Sequence, residues 1–265
     1  MKEQGRIFFT ALMFYTRIPC PSWVDHSPEY INKATRYFPL IGWIVGAFSF
    51  AGFAVGHFLF GPEIGVVLSL MVGVLTTGGF HEDGLADVYD GFGGGWTKEK
   101  ILEIMKDSRV GAYGVIALIL LFLFKFLALS HVVVAMVEDT VESWTLIGLL
   151  FLSYHALARL TAINLVFTMP YAREDANSKA KPIAQAHSAT EVAGAYLFGL
   201  LPLAGLVCFQ PWAALVVLPL AVLYFRARRY FTKWLQGYTG DCLGAIEQLA
   251  ELVVLLTFAA LWKFI

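Results

Sequence analysis

The sequence predicts an all-α, polytopic membrane helical bundle of about seven transmembrane helices, preceded by an interfacial or partly inserted N-terminal helix. Three observations carry this. The 265 residues are 58% hydrophobic and only 15% charged, whereas a soluble domain is about a quarter charged. Mean hydropathy is +0.67. Sixteen of the 19 Lys and Arg fall in alternate loops between the apolar runs, and none falls in the other loops. This composition excludes a disordered chain and argues against an ordinary soluble enzyme. With 19 Lys and Arg against 20 Asp and Glu, there is no basic excess for nucleic acid. Cys20, Cys208 and Cys242 are too few and too scattered for a disulfide framework or a zinc site.

The elements follow in chain order. Residues 7–15 are apolar but are soon interrupted by Arg17, Pro19 and Pro21, which suits an interfacial helix. A span needs about 20 apolar residues. The candidates are 38–60, 64–80, 110–137, 144–169, 190–209, the short 212–225, and 243–265. Lipid cannot satisfy an open backbone, so each must be helical. The segment 1–37 holds Lys2, Arg6, Arg17, Lys33 and Arg36. Loop 81–109 holds Lys98, Lys100, Lys106 and Arg109. Loop 170–189 holds Arg173, Lys179 and Lys181, and 226–242 holds Arg226, Arg228, Arg229 and Lys233. The intervening loops 61–63, 138–143 and 210–211 hold none. The N-terminus and the basic loops are therefore expected in the cytoplasm, and 1–265 reads as one membrane-embedded domain with no internal boundary.

Polar islands interrupt this pattern. The densest is GGFHEDGLADVYDGFGGG at 78–95. Asp83, Asp87 and Asp90 fall at i, i+4 and i+7, within about 60° on a helix. Clustered hard oxygen ligands suit Mg²⁺, or Mn²⁺. His81 and Glu82 lie on the adjoining face, and Glu82 is a further candidate ligand. The glycines, Gly94 among them, leave room for a ligand's close approach. The alternative is a solvated acidic helix end, which is expensive beside a membrane span.

The second island is EIMKDSRVGAYG at 103–114. Lys106, Asp107, Ser108 and Arg109 precede a span, and Lys106 and Arg109 are one turn apart. They suit a phosphate clamp or simple flanking charge. The third is TGDCLGAIEQLAE at 239–251. Glu247 and Glu251 share a face, with Asp241 just before them. They read as further metal or substrate contacts, or as snorkelling side chains. Arg159 inside a span needs an anion, either a carboxylate or a ligand phosphate. Asn164 is a second polar residue in that span. Arg173 and Arg17 are loop charges that could touch an anionic substrate. Lys125 and His131 read as structural. Carboxylates, glycines and basic residues on one membrane face form the inventory for phosphoryl transfer. Membrane CDP-alcohol phosphotransferases use a similar aspartate-rich motif beginning with DG. Here DG is followed by LAD where that family has an Arg after Ala.

GGFHEDGLADVYDG followed by EIMKDSRVGAYG closely resembles the cobalamin 5′-phosphate synthase (adenosylcobinamide-GDP ribazoletransferase) family. TRIPCP, FPLIGWIVGA, PYARED and TGDCLGA…AE sit where that family has similar segments, so the resemblance runs nearly end to end. It implies an integral membrane, Mg²⁺-dependent transferase. A hydroxyl of α-ribazole, or of its 5′-phosphate, attacks adenosylcobinamide-GDP and GMP leaves. Asp83, Asp87 and Asp90 match the acidic motif and would be Mg²⁺ ligands, one of them the general base, with Asp90 the candidate. Lys106, Asp107, Ser108 and Arg109 match as diphosphate contacts. Arg173, Asp241 and Glu251 also match. Glu82 stands where relatives can carry Leu, Glu247 is one place early, and Ala176 stands where a glycine is expected. A homo-oligomer, association with other cobamide-assembly enzymes and corrinoid entry through a cytoplasm-facing cavity with an apolar rim are further expectations. The rival readings are a CDP-alcohol phosphotransferase, and a cation-coupled transporter with Glu247, Glu251, Arg159 and His155 as its ion path.

Overall fold

The structure is a computed structural model that describes residues 2–24, 27–138, 140–173 and 187–262. Ala176, Lys179, Lys181 and Lys263 lie outside the described residues. Eleven α-helices make up the described chain. They are α1 Lys2–Tyr15, α2 Pro28–Ala34, α3 Phe38–Phe60, α4 Pro62–Thr77, α5 Phe80–Gly94, α6 Lys98–Ile104, α7 Ala112–Met136, α8 Val141–Thr168, α9 Ala189–Phe209, α10 Val217–Leu235 and α11 Gly240–Trp262. Six segments are long and apolar enough to cross a bilayer: α2–α3, α7, α8, α9, α10 with its 3-10 lead-in, and α11. A seventh candidate is the pair α4–α5, which is bent by 89°.

α1 buries Ile7, Ala11 and Tyr15 along one stripe, four residues apart, and packs on α2 and α3. Its 14 residues reach about 21 Å, short of a crossing. α3 and α4 form a hairpin around Gly61, whose φ of 101° suits glycine. The two helices touch backbone to backbone: a Cβ on Gly56 would lie 2.7 Å from the Gly65 Cα. On its other side α3 uses Gly42 and Gly46 to press against the carbonyls of His155 and Phe151 on α8. α8 is the axis of the bundle. Every residue from Ser153 to Ile163 is buried, so this helix shows no solvent or lipid face there.

Two expected spans come out differently. The run 64–80 stops at Thr77, because Gly78 and Gly79 both adopt left-handed φ (72° and 69°) and turn the chain. α4 returns alongside α3, and α5 leaves it at close to a right angle. The run 212–225 continues as helix to Leu235. Ala227, Phe231 and Leu235 are buried four residues apart, which gives the basic stretch an apolar face and keeps it helical.

The end of α8 and the start of α11 are tied together. Ala172 N–H donates to Tyr238 O (2.8 Å) and Tyr238 N–H to Pro170 O (3.0 Å). This short parallel bridge brings Arg173 to the first turn of α11.

Candidate active site

A cavity of about 550 Å³ opens where the α4–α5 corner, α1, α3 and the start of α11 meet. α5 and α11 cross closely because glycines face each other. A Cβ on Gly84 would lie 3.0 Å from Asp241 O, and one on Gly244 would lie 3.0 Å from His81 O. The crossing sets Asp83 of α5 and Asp241 of α11 on the same cavity wall. Arg173 donates to the Asp241 Oδ2 at 2.6 Å, and the Thr239 hydroxyl donates to the same oxygen at 3.3 Å. Arg17 crosses the corner. Its N–H donates to Thr76 O at 2.8 Å, and its side chain lies over Gly78, where a Cβ would come within 2.3 Å of the Arg17 Nε. Phe14, Tyr15, Phe38 and Phe80 supply an apolar wall.

The three α5 carboxylates differ in environment. Asp83 is exposed in the cavity, Asp87 is half-buried one turn on, and Asp90 is buried. Burial, with the Asp241 and Asp83 carboxylates nearby, pushes Asp87 up to about 7. Asp90 instead accepts from Gly111 N–H (2.6 Å) and Gly114 N–H (2.9 Å). It caps α7, where the helix dipole favours an anion. Each of those glycines is needed, since a Cβ on either would lie 2.5 Å from an Asp90 oxygen.

Glu247 and Glu251 are not in this cavity. They lie in a buried cluster among α7, α8 and α11. Glu251 binds Lys125 Nζ (2.6 Å), His155 Nδ1 (2.5 Å) and Arg159 (3.4 Å). Glu247 pairs with Arg159 at 2.7 Å. Gln248 accepts from Lys125 and donates to Glu82 at 3.0 Å, which draws Glu82 toward this cluster. Arg159 thus takes the carboxylate partners that its burial demands. Lys125, read as structural, is a member of the same network. Among the described residues, His155, Glu247 and Glu251 are the trio whose donor atoms all lie within 4.8 Å, but Lys125 and Arg159 already balance their charge.

Lys106, Asp107, Ser108 and Arg109 lie in the turn before α7 and outside the cavity lining. Arg109 grips Asp107 through Nε and a terminal nitrogen (3.0 and 2.6 Å) and holds its carboxyl down at about 2. Gly94 is exposed beside Ile104, while Gly91 and Gly95 let α6 pack onto α5. Asn164 binds Tyr196 of α9. Residue reading missed Tyr15, Phe14 and Phe38 as cavity wall, because nothing local links them to α5. It also missed the Lys125–Glu251 pair, although a lysine inside a span requires such a partner.

Fold and cavity define a polytopic membrane protein with an acid-rich, arginine-flanked cavity at one end of its helical bundle. The chain belongs to the cobalamin-5-phosphate synthase family: a sequence profile of that family matches residues 7–259. It is 44% identical to the adenosylcobinamide-GDP ribazoletransferase of Shewanella amazonensis, over 99% of this chain and 98% of the relative. It is 40% identical to the protein of that name from Leptospira interrogans, over 100% and 99%, and 41% identical to that of Shewanella oneidensis, over 93% and 91%. No solved structure matches it.

Proposed function

We propose that this chain is an adenosylcobinamide-GDP ribazoletransferase that completes the cobamide nucleotide loop. It moves the adenosylcobinamide-phosphate group from adenosylcobinamide-GDP to a hydroxyl of α-ribazole or α-ribazole 5′-phosphate and releases GMP. The observation that carries this reading is the convergence of Asp83 and Asp241 beside Arg173 in one cavity, with Asp87 one turn along α5 and within reach of both charges, in a chain of this family.

The donor set fits a hard divalent cation such as Mg²⁺. Crowded carboxylates that raise one another's proton affinity are the arrangement a cation relieves. Asp83, Asp87 and Asp241 would hold it, and once bound it would neutralise diphosphate charge and favour departure of GMP. The protein's own groups do the rest. Arg17 and Arg173 present guanidinium donors to phosphoryl oxygens. Asp83 lines the cavity and is placed to take the proton of the attacking hydroxyl, whereas both oxygens of Asp90 are held by amides. The aromatic wall excludes water from the reacting groups. The alternation of Lys and Arg among the loops supports a cavity that faces the cytoplasm.

The test is turnover by the purified, detergent-solubilised protein. Adenosylcobinamide-GDP, α-ribazole 5′-phosphate and Mg²⁺ are supplied, and GMP and cobamide are followed by mass. Equimolar GMP and cobamide formation, abolished by EDTA, is expected. Absence of both from folded protein would overturn the proposal and turn attention to CDP-alcohol donors.

A further inference from the structure

Unused hydrogen-bonding groups gather at one end of the cavity. Tyr15 is 4% exposed and His81 is 2% exposed, yet the Tyr15 hydroxyl and both His81 ring nitrogens have no hydrogen-bond partner. The Nε of Arg173 has none either. All three side chains line the cavity. Buried polar groups are nearly always satisfied within a fold, so three residues that line one cavity and each carry an orphan are unusual. Their position adds to this. His81 sits in the first turn of α5, a helix with no side-chain cap, whose leading N–H groups have no intrahelical acceptor. The left-handed Gly78–Gly79 corner leaves that terminus facing the cavity, under the Arg17 side chain. Hydroxyl, guanidinium and backbone N–H are all donors, and a neutral imidazole offers one more. Donors without acceptors, at the positive end of a helix, select an anion. The carboxylates Asp83 and Asp241 stand on the wall beyond.

We propose that Tyr15 and His81, with the N-terminus of α5 and Arg17, form the anion pocket that holds the diphosphate of the nucleotide-activated donor. The proposal rests on the transferase reading and adds to it two substrate-binding residues and the end of the cavity where the phosphates lie. A diphosphate has enough anionic oxygens to engage Tyr15, His81 and the helix terminus together. The 5′-phosphate of the acceptor is the competing source of the same chemistry.

Tyr15→Phe removes only the hydroxyl, and His81→Ala removes the ring, with His81→Gln restoring a donor. KM for adenosylcobinamide-GDP is expected to rise about tenfold or more in Tyr15→Phe and His81→Ala. KM for α-ribazole 5′-phosphate should stay unchanged, with partial recovery in His81→Gln. Melting temperature without ligand should stay level or rise, because each change removes an unsatisfied buried group. Calorimetric titration with GDP in Mg²⁺ buffer separates this inference from the transferase reading. If wild type binds GDP and both variants weaken it about tenfold, the pocket stands even where no cobamide forms. Unchanged KM and GDP affinity in both variants of an active protein would overturn it. So would a rise confined to the KM for the acceptor phosphate.

Discussion

Two clusters of charge lie within this bundle, and they are built on opposite plans. In the buried cluster Lys125 and Arg159 answer Glu251 and Glu247 charge for charge, and His155 and Gln248 add hydrogen bonds, although the His155 Nε2 and the Arg159 Nε stay without partners. At the cavity Asp83 and Asp241 share a wall with Arg173 as the paired cation, Asp87 lies one turn along α5 and is crowded by both, and the Tyr15 hydroxyl and the His81 ring nitrogens are left without partners. A cluster whose charges answer each other holds helices together. One with an excess of carboxylate over cation is suited to completion by something from outside. Composition alone does not separate them, since both are rich in acids beside arginine. Charge pairing of this kind also leaves the buried cluster ill suited to serve as the ion path of a transporter.

The largest effect expected is on catalysis. Asp83→Asn should lower turnover about a thousandfold with an unchanged melting temperature, measured by GMP release and a thermal melt. The reverse pattern should follow in the buried cluster. Glu251→Gln leaves Lys125 buried without its charge partner, which costs about 3–5 kcal/mol. A double replacement, Lys125→Met with Glu251→Met, should recover much of that loss in the melt. If Glu251→Gln instead kept its stability and lost only activity, the division between the clusters would fail.

The next effect is a pH dependence. Asp87 holds its proton up to about 7, against an ordinary carboxylate value near 4. A cation must displace that proton. Apparent metal affinity should therefore fall about tenfold per unit as pH drops below 7, with proton release on binding. In the metal-free protein the native state binds more protons than the unfolded chain between roughly pH 4 and 7. Its stability should fall as pH rises through that window. Thermal melts across pH, with and without Mg²⁺, measure both. Smaller still is Gly114→Ala. Its methyl would displace the Asp90 carboxylate from the α7 terminus and cost about 1–2 kcal/mol, read in the same melt.

Much of this was legible in the residues. The span at 38–60 and the acidic motif announced themselves through hydropathy and spacing. What was hidden depends on packing between distant segments. Lys125 and Glu251 are 126 residues apart, and no local pattern joins them. Asp90 shares a helix face with Asp83 and Asp87, so spacing groups the three. Only the approach of Gly111 and Gly114 sets Asp90 apart as a cap. Glu247 and Glu251 look like ligands from their i, i+4 spacing until α7 and α8 supply their cations. The stop of α4 at Thr77 turns on two left-handed glycines inside an otherwise apolar run.

We propose that the cation binds at the cavity carboxylates and not at the buried trio. Titration of the purified protein with Mn²⁺, read by electron paramagnetic resonance, tests it directly in wild type, Asp87→Asn and Glu247→Gln. The account expects a bound-Mn²⁺ signal in wild type that persists in Glu247→Gln and is lost in Asp87→Asn. A signal that persists in Asp87→Asn and disappears in Glu247→Gln would contradict it and move the metal to His155, Glu247 and Glu251.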